Sequence, residues 1–260
     1  LDLFGTTDNR TDGTLPDHDE TTAIRRYHAG RTYTMDWNRA PVGPAVYSPT
    51  RKGNYMSLDL APYAATGPGQ RLDDTSDFGV QGEVVLSSGG RVIDRTGYPS
   101  DIGFTVPSAA KRRYVLAVRT ARTADWTALG TRTAVTWGFT SARPRGSTTS
   151  ALPLLTVRTG GAVDLKSTAP AGHAFRLPLT VQRPTGAERS AVTRLTLQVS
   201  YDDGRTWETV PVTHHGGTGS VLLHHPSRAG YVSLRISAAD KAGNTVTQTV
   251  IRAYRIATVH

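Results

Sequence analysis

The 260-residue chain has no cysteine. That excludes disulfide frameworks, thiolate metal sites and cysteine nucleophiles together. Lysine is almost missing too: of thirty basic residues, only Lys52, Lys111, Lys166 and Lys241 are lysines, and the rest are arginines. There is no positively flanked apolar leader and no apolar run near the ~18 residues a membrane helix needs. The expectation is a soluble chain without a membrane span, and a piece of something longer. Helical periodicity never persists for the ten or so residues a helix requires. What is present is alternation, so the fold class expected is all-β.

The net charge of +9 and pI near 10.1 raise the question of nucleic acid. The arginines are spaced mostly singly along strand-like segments. No zinc-finger, RRM or KH signature accompanies the runs Arg25-Arg26 and Lys111-Arg112-Arg113. Nucleic acid is therefore not an expected partner. Dividing the chain near residue 146 leaves 18 basic and 15 acidic residues before it and 12 basic and 6 acidic after it. The C-terminal half is the place for salt-sensitive adhesion to an anionic polymer.

The most informative stretch is RLTLQVSYDDGRTWETVPV, residues 194–212. Leu195, Leu197 and Val199 alternate with polar residues, the pattern of a strand with one buried face. Asp202-Asp203-Gly204 then supplies an acidic turn, and Trp207, Val210 and Val212 resume the apolar pattern. This is a hairpin. Its octet SYDDGRTW fits the Asp-box pattern S-x-D-x-G-x-T-W, which assigns structural roles to Ser200, Asp202, Gly204, Thr206 and Trp207. Asp202 is expected to accept hydrogen bonds from the turn backbone, and Trp207 to sit in a core.

Strand patterns precede and follow it. Tyr33, Met35 and Trp37 share one face over 27–37, 40–49 reads as a Pro-rich connection, and 55–60 reads as a strand closed by Pro62. Segments 80–86 and 92–93 form a hairpin through Ser88-Gly89-Gly90. Tyr114, Leu116 and Val118 share a face, as do Val135, Trp137 and Phe139. Residues 141–150, SARPRGSTTS, have the composition of a linker. The expectation is two β-sandwich domains in tandem. The first, 1–146, is jelly-roll-like; the second, 147–260, is immunoglobulin- or fibronectin-III-like, with turns every dozen residues.

Candidate chemistry is thin. Asp73, Asp74 and Asp77 cluster as calcium ligands do, yet no EF-hand spacing supports them. A solvated turn is the reading, and no cofactor is expected. The pairs His214-His215 and His224-His225 flank a glycine-rich turn. Closing it at Gly217-Thr218 would set His214 and His215 opposite Val221 and Ser220, leaving an exposed edge and no metal site. Tyr47, Tyr55, Tyr63 and Tyr98 are the aromatics available to line a sugar-binding face. No G-x-S-x-G elbow or carboxylate pair is recognisable, so no catalytic residue is assigned and no enzyme activity is expected of this chain.

Three segments carry a resemblance: AGRTYTMDWNRAPVGPA at 29–45, RRYVLAVRTARTADWTALGTRTAVTWGFTS at 112–141, and YDDGRTWETVPV with AGYVSLRISAADKAGNTVTQTVIRAYRI at 229–256. The chain resembles the C-terminal non-catalytic region of secreted subtilisin-like serine peptidases of actinomycetes, Streptomyces among them. The resemblance implies secretion, an upstream peptidase domain as partner, and accessory β-sandwiches that stabilise it or position macromolecular substrate, protein or polysaccharide. It carries no catalytic residue onto these positions. The alternative is a polysaccharide- or cell-wall-binding module.

Overall fold

The computed structural model describes residues 18–22, 28–33, 40–64, 70–74, 80–97, 99, 102–123, 127–160 and 163–258, with backbone alone for 18–22 and 70–74. Every regular element among them is a strand. The first nine are β1 (His18–Thr22), β2 (Gly43–Lys52), β3 (Tyr55–Ala64), β4 (Gln70–Asp74), β5 (Val80–Ser88), β6 (Arg91–Thr96), β7 (Ile102–Thr105), β8 (Arg112–Arg122) and β9 (Arg132–Ser141). Then come β10 (Thr149–Ala151), β11 (Thr156–Thr159), β12 (Thr168–Pro170), β13 (Ala174–Gln182), β14 (Val192–Ser200) and β15 (Glu208–Val210). The chain ends in β16 (Thr213–His215), β17 (Thr218–His224), β18 (Gly230–Asp240) and β19 (Thr245–Ala257). The protein is all-β.

Two four-stranded sheets, β10-β2-β3-β7 and β11-β13-β17-β16, cover one long sheet ordered β15-β14-β18-β19-β9-β8-β5-β6, to which β12 adds beside β19; β1 and β4 form a separate pair. Alternation decides which side chains meet between the layers. In β8, Tyr114, Leu116 and Val118 are buried while Val115 and Arg119 are exposed. In β14, Leu195, Leu197 and Val199 are buried. Each such side chain withdrawn from water contributes about 2 kcal/mol.

The two sandwiches share their floor. Position 146 falls between β9 and β10, and the long sheet passes from one side of it to the other through the antiparallel β9–β19 ladder, from Thr245 opposite Gly138 to Ile251 opposite Arg132. One buried cluster accordingly joins Met56, Phe104 and Leu116 to Leu177, Leu197 and Tyr254. Trp137, 1% exposed, stands at the junction and donates its indole N–H to the Leu155 carbonyl at 2.6 Å. Residues 141–150, whose composition reads as a linker, form a crossover held by hydrogen bonds between β9 and β10. Arg143 donates its backbone N–H to Ala109 and its Nε–H to Asn54, and β10 pairs with β2. The polarity that reads as a linker is spent on these bonds.

The Pro-rich stretch 40–49 is another departure, because most of it is β2. The β2–β3 register shifts between Gly43 and Ala45 and again between Tyr47 and Thr50. Pro44, Pro49 and Pro62 fall at these irregularities, where a missing N–H costs no ladder bond. Ser48 takes φ of +42° at the second one. Pro62 therefore does not close β3. The strand reading over 27–37 does not hold where it can be followed: 28–33 form no strand and turn at Gly30, with φ of +74°, while Met35 and Trp37 lie outside the described residues.

Candidate functional site

The Asp-box turn connects β14 to β15, which pair from Leu197 opposite Val210 to Val199 opposite Glu208. Ser200 ends β14. Its hydroxyl donates to Asp202 Oδ1 at 2.7 Å and accepts the Gly204 N–H at 2.9 Å. The Asp202 carboxylate accepts the Thr206 N–H at 2.9 Å and the Thr206 hydroxyl at 2.5 Å. These bonds, Thr206's hydroxyl first, hold Asp202 down to about 2. Asp203 and Gly204 adopt φ of +60° and +82°. A Cβ on Gly204 would lie 2.7 Å from Ile251 Cδ1 and 3.2 Å from the Trp207 ring, so glycine is demanded here twice over.

Trp207 does not sit in the core. It is half-buried, donates its Nε1–H to the Gly204 carbonyl at 3.0 Å, and lies under the Arg235 guanidinium, 4.2 Å from the ring centre. The inward positions of this region are already filled by Leu195, Leu197 and Val199. The indole instead covers the turn from the solvent side, a cation–π partner more than a core residue.

Asp203 reaches the other way. Its two oxygens take a fork from Arg252, Nε at 2.8 Å and Nη2 at 2.7 Å. Arg252 has φ of +60° inside a β18–β19 register shift, with its N–H donated to Ser233 Oγ. Its guanidinium lies 4.6 Å from the Tyr231 ring centre. The hydrogen bond from Arg252 lowers the Asp203 carboxyl, and the charges of Arg205 and Arg132 lower it further. One carboxylate thus stands among three guanidinium groups. The octet shows the acid and Arg205; Arg132 and Arg252 are missed in sequence because β9 and β19 bring them from far along the chain.

This cluster borders the outer face of the long sheet, which no other sheet among the described residues covers. Register aligns Thr196, Ser237, Thr247 and Thr136 across four neighbouring strands. The adjacent row runs Gln198, Arg235, Thr249, Ala134, Arg119 and Glu83. Arg132, opposite Ile251, begins the row beyond. Thr136, Thr196, Thr247, Arg119 and Arg132 are exposed. On these rows the acidic side chain is Glu83, which lies 3.5 Å from Arg95.

The other candidates are dispersed. The glycine turn closes at Gly216-Gly217, one residue earlier than expected, which moves each cross-strand partner by two: His214 stands opposite Gly219 and His215 opposite Thr218. His214, His215 and His224 are exposed, but His225 is not: it is 5% exposed and stacks on Phe175 at 5.2 Å. The Tyr201 hydroxyl lies 3.2 Å from its Nδ1 and the Tyr254 hydroxyl 3.3 Å from its Nε2. Burial pushes the imidazole down to about 4, and pushes the Tyr201 phenol up to about 12. Among the described residues no three His, Asp or Glu side chains gather as metal ligands would. Asp73 and Asp74 fall in β4, paired with Asp19 and His18, and Asp77 lies outside the described residues. Tyr55 is 52% exposed beside Gly103, Tyr47 is half-buried, Tyr63 is buried under Arg122, and Tyr98 lies outside the described residues. The tyrosines therefore do not form one face.

A cavity of about 290 Å³ opens beside the crossover, lined by Lys111, Ser141, Ser150, Glu188 and Asn244 among others. Its buried polar groups have structural work. Ser141 Oγ accepts from Arg51, and Asn244 donates both its backbone N–H and its amide to Asp240.

No protein-family model matches the sequence, and no curated protein matches it. Among solved structures, the fibronectin(III)-like modules of Clostridium thermocellum CbhA align at 12% identity over 83% of this chain and 93% of theirs, with a TM-score of 0.29. A chimeric titin Z1Z2 carrying a decorin peptide aligns at 15% identity over 85% of this chain and 99% of its own, with a TM-score of 0.22. Titin domains z1z2 in complex with telethonin align at 14% identity over 85% and 98%, with a TM-score of 0.21. Superpositions this loose carry no functional argument. Among the described residues no helix is long and apolar enough to cross a membrane.

Proposed function

We propose that this chain is a non-catalytic accessory region of a secreted subtilisin-like serine peptidase, which stabilises the catalytic domain and presents macromolecular substrate to it. One observation carries the non-catalytic part: the polar groups of the Asp-box are consumed by their own turn. Ser200, Asp202 and Thr206 bond one another and the local backbone, and Asp203 is held by Arg252. A general base or nucleophile needs a free partner, and these have none to give. The attachment to a peptidase is supported by the resemblance at 112–141 and 229–256, segments that form β8, β9, β18 and β19 at the centre of the long sheet. In this role the chain works outside the cell and needs no cofactor.

The test compares the full polypeptide with a form lacking these 260 residues. Loss of half-life at elevated temperature, or of activity on casein but not on a short peptide, supports the proposal. Unchanged half-life and substrate range in the truncated enzyme would overturn it, as would casein hydrolysis by the isolated chain. A second reading, a polysaccharide-binding module, is favoured by one observation, the basic, hydroxyl-bearing outer face.

A further inference from the structure

We propose that the outer face of the long sheet, where these side chains are exposed, binds an acidic polysaccharide, its carboxylates held by Arg119, Arg132 and Arg205 and its hydroxyls by the row of Thr136 and Thr247. This deepens the binding reading and is independent of attachment to a peptidase.

The argument begins with shape. Strands stand about 4.8 Å apart, so a row crossing them presents one short side chain at each step. Thr196, Ser237, Thr247 and Thr136 form such a row on four strands, and Ala134 and Thr249 keep the next row equally low. β-branched threonine has few rotamers to lose, so its hydroxyls are fixed before any ligand arrives. An open, hydroxylated strip suits an extended chain of sugars better than a small molecule, which needs a concavity.

Charge then selects the sugar. Arg119, Arg132 and Arg205 are exposed, and Arg132 and Arg205 both act on Asp203, whose carboxylate is already forked by Arg252. Three guanidinium groups, of Arg132, Arg205 and Arg252, stand there against the two neighbouring carboxylates of Asp202 and Asp203, which leaves positive charge over. Glu83 on the same rows is opposed by Arg95. Guanidinium groups favour planar, two-oxygen acceptors, which uronic acid carboxylates supply. Nucleic acid fits less well, because single strands are held by bases stacked on aromatic faces. The indole on this side, Trp207, is already covered by Arg235. The shared ladder makes one continuous surface of both halves of the chain, so a polymer can cross the junction on a single sheet.

Affinity electrophoresis of the full chain in gels containing polygalacturonate, dextran or short duplex DNA tests this. The expected result is retardation by polygalacturonate that weakens with salt, none by dextran, and about tenfold weaker retardation in R119S/R132S/R205S. The variant R176S/R189S, which removes exposed arginines on other surfaces, keeps full retardation. Circular dichroism melts show whether each variant is folded. The proposal falls if polygalacturonate gives no retardation, if the triple variant folds and is retarded equally, or if dextran retards as strongly. It falls too if duplex DNA retards more strongly, which would assign the face to phosphate polymers.

Discussion

The side chain of Gln248 pairs with the backbone of Val157 as though it were another strand. Its Oε1 accepts the Val157 N–H at 3.1 Å and its Nε2 donates to the Val157 carbonyl at 2.7 Å. Both residues are buried, and they lie on different sheets of the second sandwich, β19 below and β11 above. The amide thus satisfies two backbone groups that the edge of the small sheet would otherwise leave unpaired away from water.

Replacing Gln248 with leucine keeps the volume and strands both Val157 groups. The expected cost is about 3 kcal/mol, set by desolvation of the unpaired N–H and C=O more than by the bonds themselves. Urea denaturation followed by tryptophan fluorescence and by far-UV circular dichroism gives the number. The two probes are expected to coincide, because the β9–β19 ladder and the common core couple the two halves.

The tryptophans separate a core indole from a covering one. Trp137→Phe loses the bond to Leu155 and leaves a cavity beside it, and Trp137→Ala is expected to cost about 4 kcal/mol. Trp207→Ala removes a half-buried ring and its contact with Arg235, for about 1 to 2 kcal/mol. Thermal melts of both alanine variants check the order. Equal losses would place Trp207 back in a core.

That contrast marks what the sequence makes legible. Period-two alternation at Leu195, Leu197 and Val199, or at Val135, Trp137 and Phe139, identifies strands and their inward faces, because burial acts on each strand separately. The Asp-box geometry is equally local, every bond spanning at most four residues. What stays hidden is polar and distant. The partner of Gln248 is 91 residues away, and that of Asp203 is 49. A glutamine or arginine on a strand looks the same whether it faces water or a carbonyl across the core. The prolines of β2 mislead for a related reason: only the register of β3 shows that they sit where no ladder bond is owed.

Arg51 is a second hidden polar residue. Its side chain is fully buried, with Nη2 donating to the Ser108 carbonyl at 2.6 Å, Nε to Gly53 at 3.1 Å and Nη1 to Ser141 Oγ at 3.3 Å. Tyr114 offers a ring face 5.9 Å from its central carbon. Lysine keeps the charge but not the planar fork, so Arg51→Lys is expected to destabilise by about 2 to 4 kcal/mol. Arg51→Met removes the charge and is expected to cost less than Arg51→Lys, since no ion is then left to solvate. Chemical denaturation of the pair reads the order directly, and a cheaper lysine variant would show that water reaches the site.

His225 gives the fold a dependence on pH. A neutral imidazole has one donor and one acceptor, so with hydroxyls at both nitrogens one tyrosine donates and the other accepts. A proton added to the ring would break that complementarity in a setting of Phe175, Tyr201 and Tyr254. The unfolded chain takes up this proton near 6.5, whereas burial holds the folded imidazole to about 4. Between those values the unfolded state binds more protons, so stability rises with pH across the window. The contribution is complete above 6.5 and is lost as pH falls toward 4, on the order of 2 kcal/mol. His225→Phe removes the titrating group and lacks the hydrogen bonds, so its melting temperature starts lower at pH 7.5 but falls less between pH 6.5 and 4.5. Melting curves of the two proteins over that range test the sign. Parallel lines would mean that the imidazole titrates alike in both states.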